Sequence, residues 1–102
     1  MPLFLIERTF AERLQNDAES VGRTLDVNRD AGVHWLFSFL SADRRKSWCL
    51  YEAPSSEAIR EAARRLNIPA DVIVEVSEVN PAAFLSREEV QRRSGFAPSV
   101  IT

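Results

Sequence analysis

The sequence predicts an α+β protein with a ferredoxin-like fold, in which an antiparallel sheet carries both helices on one face. Short apolar stretches and amphipathic stretches follow one another in the order β-α-β-β-α-β. This split βαβ order is typical of the ferredoxin-like sandwich, whose strands lie in the order 4-1-3-2. A chain of 102 residues fits one domain. Its 45% hydrophobic and 27% charged residues indicate a globular chain and exclude a disordered one.

The first half of the chain supplies three strands and one helix. Residues 3–9 (LFLIERT) are apolar with a polar end and predict the first strand. Asn16 and Glu19 have the spacing of a capping box, which predicts that the first helix begins at Asn16. Gly32 suits the left-handed cap that ends a helix. The next two strands, at 33–41 and 47–53, are joined by a polar connector and form a hairpin.

The second half supplies a helix and the fourth strand. Ser55 is a typical N-cap, and Pro69 stops the helix that follows it. The apolar stripe of this helix consists of Ala58, Ile59, Ala62, Ala63 and Leu66. The apolar segment 71–79 predicts the last strand of the sheet.

The C-terminal part of the chain is predicted to be an extension of the domain. Asn80-Pro81 closes the core, so the domain covers residues 1–80 and the extension residues 81–102. Ser86 and Glu89 form a second capping box, which predicts a short helix at 87–93. We expect residues 95–102 to be loose.

The composition excludes several classes of protein. The single Cys excludes an intrachain disulfide and a cysteine-rich zinc module. A net charge of -2 argues against nucleic acid as a partner, because non-specific binding needs a clustered basic surface. The sequence shows no signal peptide and no membrane-spanning stretch, so we expect a cytoplasmic protein without a membrane partner.

Side chains alternate between the two faces of a strand, which divides the strand residues into two sets. The set assigned to the helices is apolar: Phe4, Ile6, Val33, Trp35, Phe37, Phe39, Trp48, Leu50, Val72, Val74 and Val76. The opposite set is also rich in apolar residues: Leu3, Leu5, Leu36, Leu40, Tyr51 and Ile73. A sheet face in water would be mostly polar. We therefore expect a homodimer in which two copies pack sheet against sheet.

Polar residues interrupt this second face. The alternation places Glu7, His34, Ser38, Cys49 and Glu75 on it. Polar groups inside an apolar interface are costly unless they are paired. They therefore indicate either a hydrogen-bonded network or a binding site, with Glu7, Ser38, Tyr51 and Glu75 as the candidate ligand-binding residues.

Four of the polar residues are candidate metal ligands. Imidazole and thiolate favour nickel, copper or zinc, which makes His34 and Cys49 candidates together with Glu7 and Glu75. Glu7 and Glu75 are also predicted to form a coupled carboxylate pair. The alternatives remain open: a hydrogen-bonded structural His34, a buried and inert Cys49, and a Glu7 paired with an Arg. The basic connector Arg44-Arg45-Lys46 is interpreted as a solvated hairpin tip rather than a phosphate site.

Five segments together resemble a small bacterial family. They are MPLFLIERTF, GVHWLFSFLSAD, RKSWCLYEAP, EAIREAARRLNIPAD and VIVEVSEV. Most members of that family have no known function, and one branch consists of nickel-binding or nickel-responsive proteins. The matching positions are Glu7, Arg8, Cys49, Tyr51, Glu52, Ala53, Pro54 and Glu75. The resemblance implies a ferredoxin-like, dimeric α/β protein and makes nickel a candidate cofactor.

These observations favour a homodimeric binding protein that is not an enzyme and takes a divalent transition metal or a small ligand. An alternative is a cofactor-free dimeric α/β-barrel enzyme of the oxygenase or isomerase type. In that enzyme Glu7, His34 or Tyr51 would transfer protons. A third hypothesis is a regulatory module whose second sheet face binds another protein.

Overall fold

A computed structural model describes residues 1–95 and confirms the ferredoxin-like fold. Its elements are β1 (Leu3–Thr9), α1 (Ala18–Ala31), β2 (His34–Leu40), β3 (Lys46–Glu52), α2 (Ser56–Leu66), β4 (Val72–Val76), a 3-10 turn (Pro81–Ala83) and α3 (Arg87–Ser94). The strands form one antiparallel sheet in the order β2-β3-β1-β4, which is the predicted order 4-1-3-2. The fourth strand is shorter than the predicted 71–79. Most of the segment expected to be loose, residues 96–102, lies outside the described residues.

The helix ends follow local hydrogen bonding. The N-cap of α1 is Asp17 rather than the predicted Asn16, because the Asp17 carboxylate accepts from the backbone N–H of Ser20 at 2.8 Å. The Ser20 hydroxyl in turn accepts from the Asp17 N–H at 3.2 Å, so Ser20 completes the capping box instead of Glu19. Gly32 ends α1 with φ = 76°, as predicted.

The other two helices begin where the sequence predicts. The Ser55 hydroxyl accepts from the backbone N–H of Ala58 at 3.3 Å at the start of α2. The Ser86 hydroxyl accepts from the backbone N–H of Glu89 at 3.1 Å at the start of α3. Both contacts satisfy an N–H group that has no partner within its own helix.

The core lies between the sheet and the helices. Its buried members are Phe4, Ile6, Val33, Cys49, Tyr51, Ala53, Ile59 and Ala62. Because α2 contributes Ile59 and Ala62, this is the helix-facing side of the sheet. The opposite side, which we call the open face, is covered by neither α1 nor α2.

The cross-strand register corrects several face assignments. Ile6 lies opposite Cys49, and Glu7 lies opposite Trp48. Directly opposed residues share a face, so Cys49 is on the helix side and Trp48 is on the open face. The residues wrongly assigned to the helix side are Phe37, Phe39, Trp48, Leu50, Val72, Val74 and Val76. The residues wrongly assigned to the open face are Ser38, Leu40, Cys49, Tyr51, Ile73 and Glu75.

A register irregularity in β2 explains part of this exchange. Trp35 lies opposite Tyr51, but Phe37 lies opposite Leu50, so Leu36 is an extra residue between them. A bulge reverses the alternation for the rest of the strand. Trp35 therefore stays on the helix side, whereas Phe37 turns to the open face.

The open face is nevertheless apolar, although other residues make it so. Its apolar members are Leu3, Leu5, Phe37, Phe39, Trp48, Leu50, Val72, Val74 and Val76. Phe39 is 59% exposed and Val74 is 49% exposed. None of the helices in residues 1–95 has the length and hydrophobicity needed to span a membrane.

Candidate ligand cavity between the first helix and the sheet

A partly open cavity of about 170 Å³ lies between α1 and the helix-facing side of the sheet. The strands supply part of its polar lining, because residues of β1, β2 and β3 on this side of the sheet point toward α1. These polar residues are Arg8, Ser38, Ser47, Cys49 and Tyr51. The apolar part of the wall consists of Phe10, Leu14, Val21, Trp35, Leu40 and Ile68. The β1–α1 segment and α1 add the polar residues Gln15, Asn16, Ser20 and Thr24.

The segment between β1 and α1 forms one wall of the cavity, and the β2–β3 connector holds it in place. The backbone N–H of Phe10 donates to the Arg45 carbonyl at 2.7 Å, and that of Leu14 donates to the Arg44 carbonyl at 2.7 Å. The Arg44 side chain donates to the Leu14 carbonyl at 2.8 Å. Arg44 is half-buried, so the connector is not the solvated tip that the sequence indicated.

Arg8 is the cation of the cavity. It is only 4% exposed, and its guanidinium donates to the Pro69 carbonyl at 2.5 Å. The guanidinium carbon lies 6.0 Å from the centre of the Tyr51 ring, which is a cation–π distance. Arg8 therefore brings a buried positive charge to a mostly apolar cavity.

Tyr51 lies beside Arg8 and remains a neutral phenol. The Asn28 side-chain amide donates to the Tyr51 hydroxyl oxygen at 3.4 Å. Burial raises the pKa of the Tyr51 hydroxyl above its ordinary value of 10.0, because the charged phenolate would be desolvated. A protonated Tyr51 can donate its hydrogen to a ligand but is a poor general base at neutral pH.

The other polar strand residues of the cavity already bond to neighbouring side chains. The Ser47 hydroxyl lies 3.7 Å from the Cys49 sulfur. The Trp35 indole N–H donates to the Ser38 hydroxyl at 2.8 Å. Ser38 lies opposite Cys49 across the β2–β3 pair, so the register brings these two predicted site residues together.

Glu7 lies on the open face, as predicted, and its partners are side chains of β3. Its carboxylate accepts from the Trp48 indole N–H at 3.1 Å and lies 3.4 Å from the Lys46 ammonium. The Lys46 ammonium is also 5.6 Å from the centre of the Trp48 ring. These contacts support a paired, structural Glu7, with Lys46 as partner instead of the expected Arg.

His34 also lies on the open-face side and is exposed. Its cross-strand neighbour is Glu52. It borders a second, smaller cavity of about 150 Å³ and not the cavity that contains Arg8. A proton-transfer role for His34 in the Arg8 cavity therefore has no geometric support.

The predicted Glu7–Glu75 pair is not formed. Glu75 lies opposite Phe4, whereas Glu7 lies opposite Val72, so the two carboxylates point to opposite faces of the sheet. His34 and Glu7 are thus separated by the sheet from Cys49 and Glu75. Within residues 1–95, no group of three His, Cys, Asp or Glu side chains is arranged to hold a metal ion.

The candidate site residue that the sequence reasoning missed is Arg8. It follows Phe4 and Ile6 at intervals of two, so alternation alone places it on the helix side. A charged residue in that buried row is a signal of a paired charge or a ligand. Trp35 and Ser47 were also missed as cavity residues. The sequence reasoning placed the site on the opposite face of the sheet.

The matched region of the chain covers β2, β3, β4, the first two helices and all of β1 except Leu3. A family model described as "Nickel responsive protein SCO4226-like" matches residues 4–76. The chain belongs to the SCO4226-like family. The match includes both the strand residues of the cavity and the open face. No curated protein matches the chain.

A solved structure supports the same assignment. This SCO4226-like chain is similar to the crystal structure of SCO4226 from Streptomyces coelicolor A3(2), with a TM-score of 0.65 and 25% sequence identity. The alignment covers 76% of this chain and 98% of the other. The two chains therefore share the ferredoxin-like fold described above. Since the family is named for a response to nickel, this chain is a small protein of a metal-related family.

Proposed function

We propose that this SCO4226-like protein is a homodimeric binding protein that holds a small organic molecule in the Arg8 cavity. The observation that carries the proposal is a cavity whose wall is mainly apolar but presents a few buried polar groups. Small-molecule sites are usually built in this way, with apolar walls for affinity and few polar groups for orientation.

The open face supports the dimeric part of the proposal. It combines exposed apolar side chains of β1, β2 and β4 with the Glu7–Lys46–Trp48 contacts at one side. Contiguous apolar surfaces of this kind commonly mark protein interfaces. A second copy is the occupant that we propose, because a two-fold interface uses the same apolar patch on both copies.

Benzamide is a suitable neutral probe for the cavity. In a two-dimensional NMR titration of the full chain, we expect saturable shifts confined to residues that line the cavity, with a dissociation constant on the order of 1 mM. Val21→Trp should weaken this binding at least about tenfold, because the indole fills space beside α1. The matched control is Arg23→Trp on the exposed side of the same helix. Shifts spread over the surface, or equal weakening by both variants, would contradict the cavity as the binding site.

Nickel is the second candidate ligand, and the family name favours it. Since the described residues of one chain provide no three-ligand group, a site on the open face would need ligands from two copies. His34, opposite Glu52, is the side chain that we propose for such a site. We expect equilibrium dialysis of metal-free protein to show stoichiometric nickel uptake that is lost in His34→Ala. Absence of nickel, copper and zinc uptake would exclude a metal function.

A further inference from the structure

We propose that the Arg8 cavity binds a small organic anion, a carboxylate with an apolar body, whose charge Arg8 neutralises. This inference rests on the proposed function and names the chemical class of its ligand. The observations that lead to it are a buried cation without a counter-ion, a set of hydrogen-bond donors around it, and the size of the cavity.

The first observation is the missing counter-ion of Arg8. A guanidinium stays charged at every physiological pH, and a buried charge is costly unless it is paired. No carboxylate within residues 1–95 forms an ion pair with Arg8, although six other basic residues do have such partners. The Pro69 carbonyl and the Tyr51 ring are its described partners, and neither carries a negative charge. A guanidinium has five N–H donors, so the Pro69 contact leaves donors for a ligand.

The second observation is that the neighbouring polar groups offer hydrogen atoms to a ligand. The Tyr51 oxygen already accepts from Asn28, which leaves the phenol hydrogen to donate. The Ser38 hydroxyl oxygen already accepts from the Trp35 indole N–H, which likewise leaves the Ser38 hydroxyl hydrogen to donate to a ligand. No Asp or Glu from residues 1–95 lines the cavity. Around Arg8 these groups favour a ligand that accepts hydrogen bonds, and an anion matches the guanidinium best.

The third observation is the size and apolar character of the space. A cavity of about 150 Å³ lined by apolar side chains is large enough for benzene. The Arg8 cavity, at about 170 Å³, therefore fits a single ring or a short chain with one carboxylate. Inorganic phosphate would satisfy Arg8 but would leave the apolar wall formed by Trp35, Leu40 and Ile68 unfilled.

Benzoate and benzamide form the matched pair of probes, since they have nearly the same shape and differ in charge. We expect calorimetric titration of the full chain to give a benzoate dissociation constant at least about tenfold lower than that of benzamide, because an Arg–carboxylate pair can form two charge-assisted hydrogen bonds. Arg8→Met should reduce this ratio to about one. The control is Arg13→Met, which removes an exposed arginine that does not line the cavity. In the unaltered protein, the NMR signal of the Arg8 side-chain N–H should shift with benzoate and not with benzamide.

The possible outcomes separate this inference from the proposed function. Equal binding of benzoate and benzamide in the cavity would overturn the anion proposal and leave the cavity as a binding site. Binding of neither probe would overturn both. Phosphate binding as tight as that of benzoate would overturn the organic part of the proposal. If Arg8→Met does not fold, an unshifted Arg8 side-chain signal in the unaltered protein with benzoate would by itself overturn the role of Arg8.

Discussion

Val74→Glu is expected to convert the proposed homodimer into a monomer. Val74 lies on edge strand β4, opposite Leu5 of the central strand β1, and is 49% exposed in the single chain. The single chain can therefore accept a glutamate here, with its carboxylate in water. In a sheet-to-sheet dimer the carboxylate would be buried among apolar side chains without a partner, which costs several kcal/mol. We expect the dimer dissociation constant to rise more than about a hundredfold, since about 1.4 kcal/mol corresponds to a factor of ten.

Sedimentation velocity over a range of protein concentrations measures this change. The matched control is Arg60→Glu on the exposed side of α2, which also introduces a carboxylate but lies away from the open face. The control should remain dimeric. A dimeric Val74→Glu variant would contradict the sheet-to-sheet interface. An unaltered protein that is monomeric at every concentration would instead favour the alternative in which the open face binds a different protein.

Ile6→Ala is expected to cause the largest loss of stability. Ile6 has 0% exposure and lies on central strand β1, between Cys49 of β3 and Ile73 of β4. Truncating a buried isoleucine to alanine removes apolar contacts and leaves a void, which costs about 2–5 kcal/mol. The total free energy of unfolding of a domain is about 5–15 kcal/mol, so a large share of the stability would be lost.

Urea unfolding followed by circular dichroism measures this loss. Leu25→Ala is the control, because Leu25 is 49% exposed on α1 and the substitution favours helix formation. The free energy of unfolding of this control should change by less than about 1 kcal/mol. A similar loss in both variants would show that the core is not centred on β1.

The choice of residues for each sheet face shows where sequence reasoning ends. For β1, alternation correctly placed Phe4 and Ile6 on the helix-facing side of the sheet, because the alternation of buried and less buried residues along this strand is regular. For β3, the pair Trp48 and Leu50 is more apolar than the pair Cys49 and Tyr51, so hydrophobicity favoured the wrong set. Strand register is strongly specified only when one face is apolar and the other polar. This sheet is apolar on both faces, so the pattern alone could not decide.

The candidate site depended on the same decision. Cys49 and Tyr51 were recognised as site residues. They were assigned to the open face, however, whereas alternation places Arg8 on the helix-facing side, so the prediction did not bring them together. The pairing of β1 with β3 places Arg8 opposite Ser47, within the same row as Cys49 and Tyr51. The bulge after Trp35 brings Ser38 into that row as well. No local pattern in β2 indicated the bulge.

The sequence by itself determined the order of the elements and the caps at Gly32, Ser55 and Ser86, and the element order in turn predicted the strand order of the ferredoxin-like fold. These features depend on short-range periodicity, turn residues and backbone hydrogen bonding, which neighbouring residues specify. Only the tertiary structure decided which strand residues face the helices and which remain on the open face. That choice depends on the hydrogen-bonded register between strands that are distant in the chain. In this protein the observed register places the candidate site in the cavity beneath α1 instead of at the predicted sheet interface.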